Sequence, residues 1–139
     1  MKLLVDTNVL SEMRKGRDGN PGVVAWTASV LAEDLAISVL SLKELEYGVL
    51  NVADSDPPYS MVLRLYLDHF IIPGFGERIL DVTQAVAIRA ASFDLPKRRP
   101  VVDGLIAATA LVHGLTVVTR NTIDFLPTGV PLLNPWKPA

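Results

Sequence analysis

The chain has 139 residues, enough for one domain with a real core, and half of them are hydrophobic while a fifth are charged, which excludes a disordered chain. The formal net charge is −2, so any nucleic-acid binding would need local basic patches. Cysteine is absent, which excludes disulfides and makes a reducing cytoplasm the simplest location. No apolar run approaches the roughly 20 residues of a membrane span, and we expect a single domain over residues 1–139.

The first predicted element is a short buried strand, Lys2–Val5, followed by small polar residues that favour turns and helix caps. A helix is predicted over Thr7–Lys15. Asp6 therefore stands where a strand ends and a helix begins. It is either a simple helix cap or a group at the carboxyl edge of a sheet, where α/β proteins bind ligands.

A second helix is predicted from Pro21, and a second apolar strand over Leu35–Val39. Ser41 then opens a third helix, with Glu44 three residues later, which is the pattern of a capping box. Glu44 either reaches back to that cap or lies at the same sheet edge as Asp6. The residue pattern alone leaves both interpretations open.

Pro57 and Pro58 start a fourth predicted helix that reaches about Phe70 and forms a hairpin with the third. Its apolar face is wide. If exposed, such a face would suit a partner or a dimer contact, and the alternative is ordinary packing against the sheet. The residues of this face are Met61, Val62, Leu65, Tyr66 and Phe70.

The second half of the chain contains a predicted buried helix that begins at Asp103 and is apolar nearly all round. A loop with three consecutive cations, Lys97, Arg98 and Arg99, comes just before it. The other predicted elements are a strand over Ile79–Val82, a helix from Thr83 to about Phe93, a strand over Leu115–Val118 and a last strand near Val130–Leu133. Neither His69 nor His113 has a partner at metal-ligand spacing.

Four acids of these elements are expected to meet. In a parallel sheet with right-handed crossovers, the carboxyl ends of strands and the amino ends of helices share one edge. Four carboxylates that lie close together repel unless protons or cations neutralise them. Carboxylate ligands without imidazole or thiolate favour Mg²⁺, or Mn²⁺, over Zn²⁺. The four acids are Asp6, Glu44, Asp103 and Asp124.

The sequence resembles PIN-domain ribonucleases, in particular VapC-type toxins of toxin–antitoxin pairs and their FitB-like relatives. The matching motifs run in order along the whole chain: Val5-Asp6-Thr7-Asn8-Val9, Ser41-x-x-Glu44-Leu45-x-x-Gly48, Asp103-Gly104-x-Ile106-Ala107-Ala108-Thr109-Ala110, Thr119-Arg120-Asn121-x-x-Asp124-Phe125 and Asn134-Pro135-Trp136. Each motif alone is weak, and the ordered set is strong.

The resemblance implies a three-layer α/β/α sandwich around a mostly parallel sheet. It also implies Mg²⁺-dependent cleavage of RNA, a VapB-like antitoxin that blocks the site, and a homodimer or a dimer of toxin–antitoxin heterodimers. Asp6, Glu44 and Asp103 would hold the metal.

The fourth acid of the family aligns with either Asn121 or Asp124, and here only Asp124 is ionisable. Asp124 would support the metal or a water, and Asn121 would ligate through its carbonyl or hold a water. The expected supporting residues are Thr7 and Asn8, which would orient Asp6, and Thr119, which would line the site.

We therefore predict an endoribonuclease toxin. The alternative is a catalytically weak nucleic-acid-binding protein that regulates its operator together with an antitoxin. Because the chain is acidic overall, RNA needs a local positive surface. The candidates are the loop Lys97–Arg99, which is otherwise a solvated connector, and a rival patch of Arg14, Lys15 and Arg17.

Overall fold

The fold is described from a computed structural model that covers residues 1–137. Its centre is a sheet of five parallel strands in the order β3-β2-β1-β4-β5. The predicted parallel sheet is confirmed. The strands are β1 (Leu3–Val5), β2 (Leu35–Ser38), β3 (Ile79–Leu80), β4 (Thr116–Val118) and β5 (Leu132–Leu133).

Strand β1 lies at the middle of the sheet, where the direction of winding reverses. β2 and β3 follow on one side of β1, and β4 and β5 follow on the other. Leu4 pairs with Ala36 of β2 and with Val117 of β4. The crevice between β1 and β4 is therefore the topological switch point, which is where open α/β sheets bind their ligands.

Helices cover both faces of the sheet. Neighbouring residues of a strand point to opposite faces, so each buried strand packs against helices on both sides. In β1, Leu4 packs into one core cluster with Ile106 and Phe125, whereas Val5 packs into the other with Val9 and others. Both Leu4 and Val5 are almost completely buried. The two clusters confirm the three-layer α/β/α sandwich.

The helices alternate with the strands along the chain. They are α1 (Thr7–Met13), α2 (Pro21–Ser29), α3 (Val39–Asn51), α4 (Pro57–Leu65), α5 (Ile72–Phe75), α6 (Gln84–Ala91), α7 (Val101–His113) and α8 (Thr122–Phe125). A π-helical segment, Tyr66–Ile71, joins α4 to α5. Helix α7 is the buried helix predicted from its apolar sequence, and Gly114 ends it in the left-handed conformation with φ 69°.

Helices α3 and α4 form the predicted hairpin. Arg64 of α4 binds Glu46 of α3 in a bidentate ion pair, with N–O distances of 2.6 and 2.7 Å. The buried Ser60 hydroxyl donates to the carbonyl of Val49 at 2.8 Å. These contacts fix the two helices to each other.

The apolar residues of this hairpin divide between the core and solvent. Tyr66 packs against the core cluster that contains Leu67 and Ile71. Several other apolar side chains of α3, α4 and the π-helical segment remain exposed in the isolated chain: Tyr47, Leu50, Met61, Val62, Leu65 and Phe70. We call these six residues the apolar strip. Its exposure contradicts the interpretation of ordinary packing for most of the predicted face.

The predicted capping box at Ser41 is wrong. Helix α3 begins three residues earlier, and its N-cap is Ser38, whose hydroxyl accepts from the backbone N–H of Leu40 at 3.0 Å. Ser41 is buried inside the helix. Because Ser38 and Ser41 are one helical turn apart, both fit the local signal for a cap, and only the length of β2 distinguishes them. Glu44 therefore does not take part in capping α3.

No helix within residues 1–137 combines the length and the apolar character that a transmembrane segment needs.

Candidate active site

Asp6 lies at the carboxyl end of β1, in the crevice at the switch point. Its Oδ1 accepts from the backbone N–H of Thr7 at 2.8 Å and so caps α1. Its Oδ2 accepts from the Thr119 hydroxyl, at the end of β4, at 2.8 Å. Burial raises the pKa of Asp6, although the bonds from Thr119, Thr7 and Asn8 oppose that shift. Asp6 is therefore both a helix cap and a member of a larger polar site.

Asn8 of α1 forms hydrogen bonds to residues at the ends of both β1 and β4. Its side-chain N–H donates to Asp6 Oδ2 at 3.2 Å and to the Thr119 hydroxyl at 3.3 Å. Its side-chain carbonyl accepts from the backbone N–H of Arg120 at 3.2 Å. The Thr119 hydroxyl also accepts from the backbone N–H of Asn121 at 3.1 Å. Asn8 and Thr119 thus orient Asp6, in the positions that the sequence predicts for supporting residues.

Glu44 reaches the site from the second turn of α3. Its carboxylate accepts from the Thr7 hydroxyl at 3.0 Å, and the same hydroxyl lies 2.9 Å from the Ser41 hydroxyl. Partial burial raises the pKa of Glu44, the Thr7 bond opposes that shift, and the charge of Asp6 raises the pKa further. Thr7 therefore links Glu44 to the residue beside Asp6.

Asp103 lies in the first turn of α7, the helix that leads into β4. Its pKa is raised to about 6, mainly by burial and then by the negative charges of Asp6, Asp124 and Glu44, in that order. The charges of Asp6, Asp124 and Glu44 thus all act on Asp103, and the charge of Asp6 also acts on Glu44.

Asp124 is exposed and lies in the short helix α8, which follows β4. Asn121 precedes that helix, and its backbone carbonyl accepts from the N–H of Asp124 at 3.1 Å. Both residues line one cavity of about 520 Å³. Asp124 is the ionisable residue of the two, and its negative charge contributes to the raised pKa of Asp103.

The four carboxylates have no cationic partner among residues 1–137. The ion pairs of this part of the chain join Lys15 to Glu12, and Arg64 to Glu46 and Asp68. A cluster of unneutralised carboxylates at a ligand-binding edge has the donor chemistry of a hard divalent cation.

The arrangement is nevertheless not a closed cage. In the described part of the chain, no three acidic, histidine or cysteine side chains are placed so that they could hold one metal ion between them. Mg²⁺ commonly keeps several waters and takes only one or two protein carboxylates. The donor set therefore fits a hydrated ion that contacts some of these acids through water.

The candidate RNA-binding cations fall in two places. Arg14 and Lys15 line a cavity of about 460 Å³ together with Thr7, Asn8 and Glu44. We call this cavity the groove. Lys97, Arg98 and Arg99 lie in the connection before α7, where the Arg99 backbone N–H donates to Asp94 at 3.1 Å.

Sequence reasoning missed three residues of this region. Ser41 contacts Thr7 instead of capping a helix, and the signal for it was hidden because a serine three residues earlier is the cap. Arg120 and Trp136 stack on each other beside the groove. They are 16 positions apart in the sequence, and only the pairing of β4 with β5 brings their segments together.

Comparisons with known proteins support this fold. The PIN domain family matches residues 3–126. Toxin FitB of Neisseria gonorrhoeae is 38% identical, over 96% of this chain and 98% of that protein. VapC ribonuclease Y4jK of Sinorhizobium fredii is 32% identical, over 99% of both chains. A solved structure described as FitAB bound to the IR36 DNA fragment superposes with a TM-score of 0.87 at 34% identity, covering 99% of this chain and 97% of that one.

The chain belongs to the PIN-domain family. Within that family its similarity is to FitB- and VapC-type toxins over nearly the full length of both chains. The predicted resemblance is thereby confirmed.

We expect Asp103→Asn to raise the melting temperature of the metal-free protein at pH 7.5, by about 3 °C for each kcal/mol of relieved repulsion. The folded Asp103 has a raised pKa, near 6, so the folded state binds more protons than the unfolded state between about pH 4 and 6. The wild type therefore loses stability as the pH rises through that window and regains it as the pH falls.

The advantage of the variant should accordingly shrink as the pH is lowered from 6 to 4. Thermal melts of both proteins across this range, without divalent ions, provide the measurement. A difference in melting temperature that does not depend on pH would show that the pKa of Asp103 is not raised in the folded state.

Proposed function

We propose that the chain is the toxin of a toxin–antitoxin pair and acts as a metal-dependent endoribonuclease. The observation that carries this proposal is the polar crevice at the switch point of the sheet, where Thr119 and Asn8 bond to Asp6 and Thr7 joins Glu44 to it. No carboxylate of this crevice has a cationic partner within residues 1–137. The similarity to Toxin FitB and to a VapC ribonuclease supports both parts of it.

Each acid has a distinct task in this proposal. Asp6, Glu44 and Asp103 would hold Mg²⁺, or Mn²⁺, directly or through water, and Asp124 would support the ion or a water from the open side. When bound, the ion supplies neutralisation of charge on the phosphodiester and lowers the pKa of a water. Thr119 and Asn8 keep Asp6 in place by their bonds to its Oδ2.

In this proposal an RNA strand binds along the groove and so reaches the acids. The groove runs from Glu44 along α1 to Arg14 and to Lys15, which is paired with Glu12. Arg14 has no ion pair within residues 1–137, so a phosphate backbone lying in the groove would meet its positive charge.

A second candidate function is operator binding by the complex of toxin and antitoxin. The observation that favours it is the FitAB structure, which is described as bound to a DNA fragment. This function does not need four clustered acids. The two functions are compatible, and an inactive variant that still assembles on the operator would separate them.

The antitoxin is expected to insert a cation, most simply an Arg, among the carboxylates. An Arg guanidinium matches carboxylates in a bidentate manner and competes with a metal ion for the same negative charge. The apolar strip offers a docking face for an amphipathic helix of the partner. One small protein would thereby cover both the strip and the site.

We expect Asp6→Asn to reduce RNA cleavage by more than about 100-fold, because a ligand charge is lost from the metal site. The fold should persist, since an amide keeps the size of the side chain and part of its capping ability. Cleavage of structured RNAs with Mg²⁺ and with EDTA is the measurement. The matched control is Asp54→Asn, an exposed residue in the turn between α3 and α4. Folded Asp6→Asn protein that cleaves at the wild-type rate would rule out the role of Asp6.

We expect the double variant Arg14→Ala, Lys15→Ala and the triple variant Lys97→Ala, Arg98→Ala, Arg99→Ala to distinguish the two basic patches. Substitution of the patch that binds phosphates should weaken binding to every RNA sequence alike. It should also flatten the salt dependence of affinity by at most about 0.7 log–log units per lost contact on a single strand. Affinities at several salt concentrations provide the measurement. A salt dependence identical to that of the wild type removes a patch from consideration.

We expect a small gene next to the gene for this chain to encode the antitoxin, and the co-purified complex to be inactive on RNA. Replacing the inserted Arg of the partner with Ala should restore cleavage while the complex stays assembled, as size-exclusion chromatography would show. A wild-type complex that cleaves RNA as fast as the free chain would exclude this mode of inhibition.

A further inference from the structure

The side chain of Arg120 is held over an aromatic ring at the edge of the site. Its guanidinium carbon lies 5.2 Å from the centroid of the Trp136 indole. Arg120 is exposed, whereas Trp136 is partly buried and packs against the core cluster of Val5 and Val118. The guanidinium is therefore positioned by the indole while Arg120 remains exposed to solvent.

The stack has a fixed position relative to Asp6. The Arg120 backbone N–H donates to Asn8 Oδ1 at 3.2 Å, and the same Asn8 side chain donates to Asp6. On the other side, Asn134 Oδ1 accepts from the backbone N–H of Trp136 at 2.9 Å, and Asn134 Nδ2 lies 3.5 Å from the Arg120 carbonyl. Backbone and amide bonds thus join both members of the stack to the acidic crevice.

Arg120 and Trp136 also separate two cavities. On one side is the groove, which reaches Glu44, and on the other is the cavity of about 520 Å³ that contains Asn121 and Asp124. A strand that passes over the acids from one cavity to the other must cross this stack.

The charge of Arg120 has no carboxylate bonded to it within residues 1–137. It contributes to the lowered pKa of Glu12, but the Glu12 oxygens are bonded to Lys15 Nζ at 2.9 Å and to the Asn20 backbone N–H at 2.7 Å. An Arg that is stacked, anchored and free of a carboxylate is well arranged to bind a phosphate through its planar fork.

We propose that Arg120, positioned by Trp136, binds a phosphate of the bound RNA strand next to the one that is cleaved. This inference rests on the proposed function, because it takes RNA as the ligand of the groove. Arg14, which has no ion pair within residues 1–137, lines the same groove, and a second available cation favours a polyanion over a single carboxylate of a protein partner.

The test measures RNA affinity in an Asp6→Asn background, in which cleavage is blocked. The probe is a fluorescein-labelled, single-stranded RNA oligonucleotide of mixed sequence, titrated at several salt concentrations. The variants are Arg120→Ala, Arg120→Lys and Trp136→Phe. Arg89→Ala is the matched control, because it removes one exposed cation from α6 and lines neither of the two cavities.

Arg120→Ala should weaken binding about three- to fivefold, the effect of one exposed charge pair. It should also reduce the salt slope by about 0.7. Arg120→Lys should keep the slope because it keeps the charge, and Trp136→Phe should keep most of the affinity because a ring still covers the guanidinium. Arg89→Ala should match the background protein.

With Asp6 intact, Arg120→Ala should raise KM more than it lowers kcat, as expected for a residue that binds substrate away from the reacting bond. Thermal melts would verify that each variant is folded. These readouts distinguish substrate binding from a merely structural role of the stack.

Three results would overturn the proposal. Equal affinity and slope for Arg120→Ala and Arg89→Ala would show that Arg120 does not bind RNA. Weaker affinity with an unchanged slope would indicate stacking on a base instead of a phosphate contact. Weaker binding of the antitoxin with unchanged RNA affinity would assign Arg120 to the protein partner.

The outcome for nuclease activity is separate. If the wild type cleaves no RNA while Arg120→Ala still weakens binding and flattens the slope, the phosphate contact stands and the proposed nuclease function is wrong.

Discussion

The structure depends on the parallel pairing of β1 with β2 on one side and β4 on the other. This pairing buries Leu4 and Val5 on opposite faces and so fixes both core clusters. It also brings the ends of three strands to one edge, where Asp6 and Thr119 are close enough for a 2.8 Å hydrogen bond. The polar site is thus a direct consequence of the register that forms the core, and a change of register would dismantle both.

The sequence contains enough information for the layers and for the acids, because apolar runs and helix starts are local signals. The buried strand before Asp6 and the apolar helix that begins near Asp103 define their own positions. Parallel topology then places both acids at one edge without any knowledge of side-chain contacts. For this reason the four carboxylates could be singled out from the chain alone.

The sequence did not decide between equivalent local signals. It also did not indicate which distant segments are in contact. Ser38 and Ser41 are equally good caps, and the length of a buried strand decides between them. The position of Arg120 over Trp136 depends on how β5 pairs with β4. Neither periodicity nor motif spacing carries that information, so the stack beside the site became visible only in three dimensions.

The hairpin of α3 and α4 carries both Glu44 and the apolar strip. Glu44 lies near the amino end of α3, while Tyr47 and Leu50 of the apolar strip lie further along the same helix. Asp6 follows a central strand, but Glu44 is joined to the crevice through the Thr7 hydroxyl. Glu44 is therefore the one acid of the four that shares a helix with the apolar strip, so a partner that docks on the strip contacts the element that positions this carboxylate.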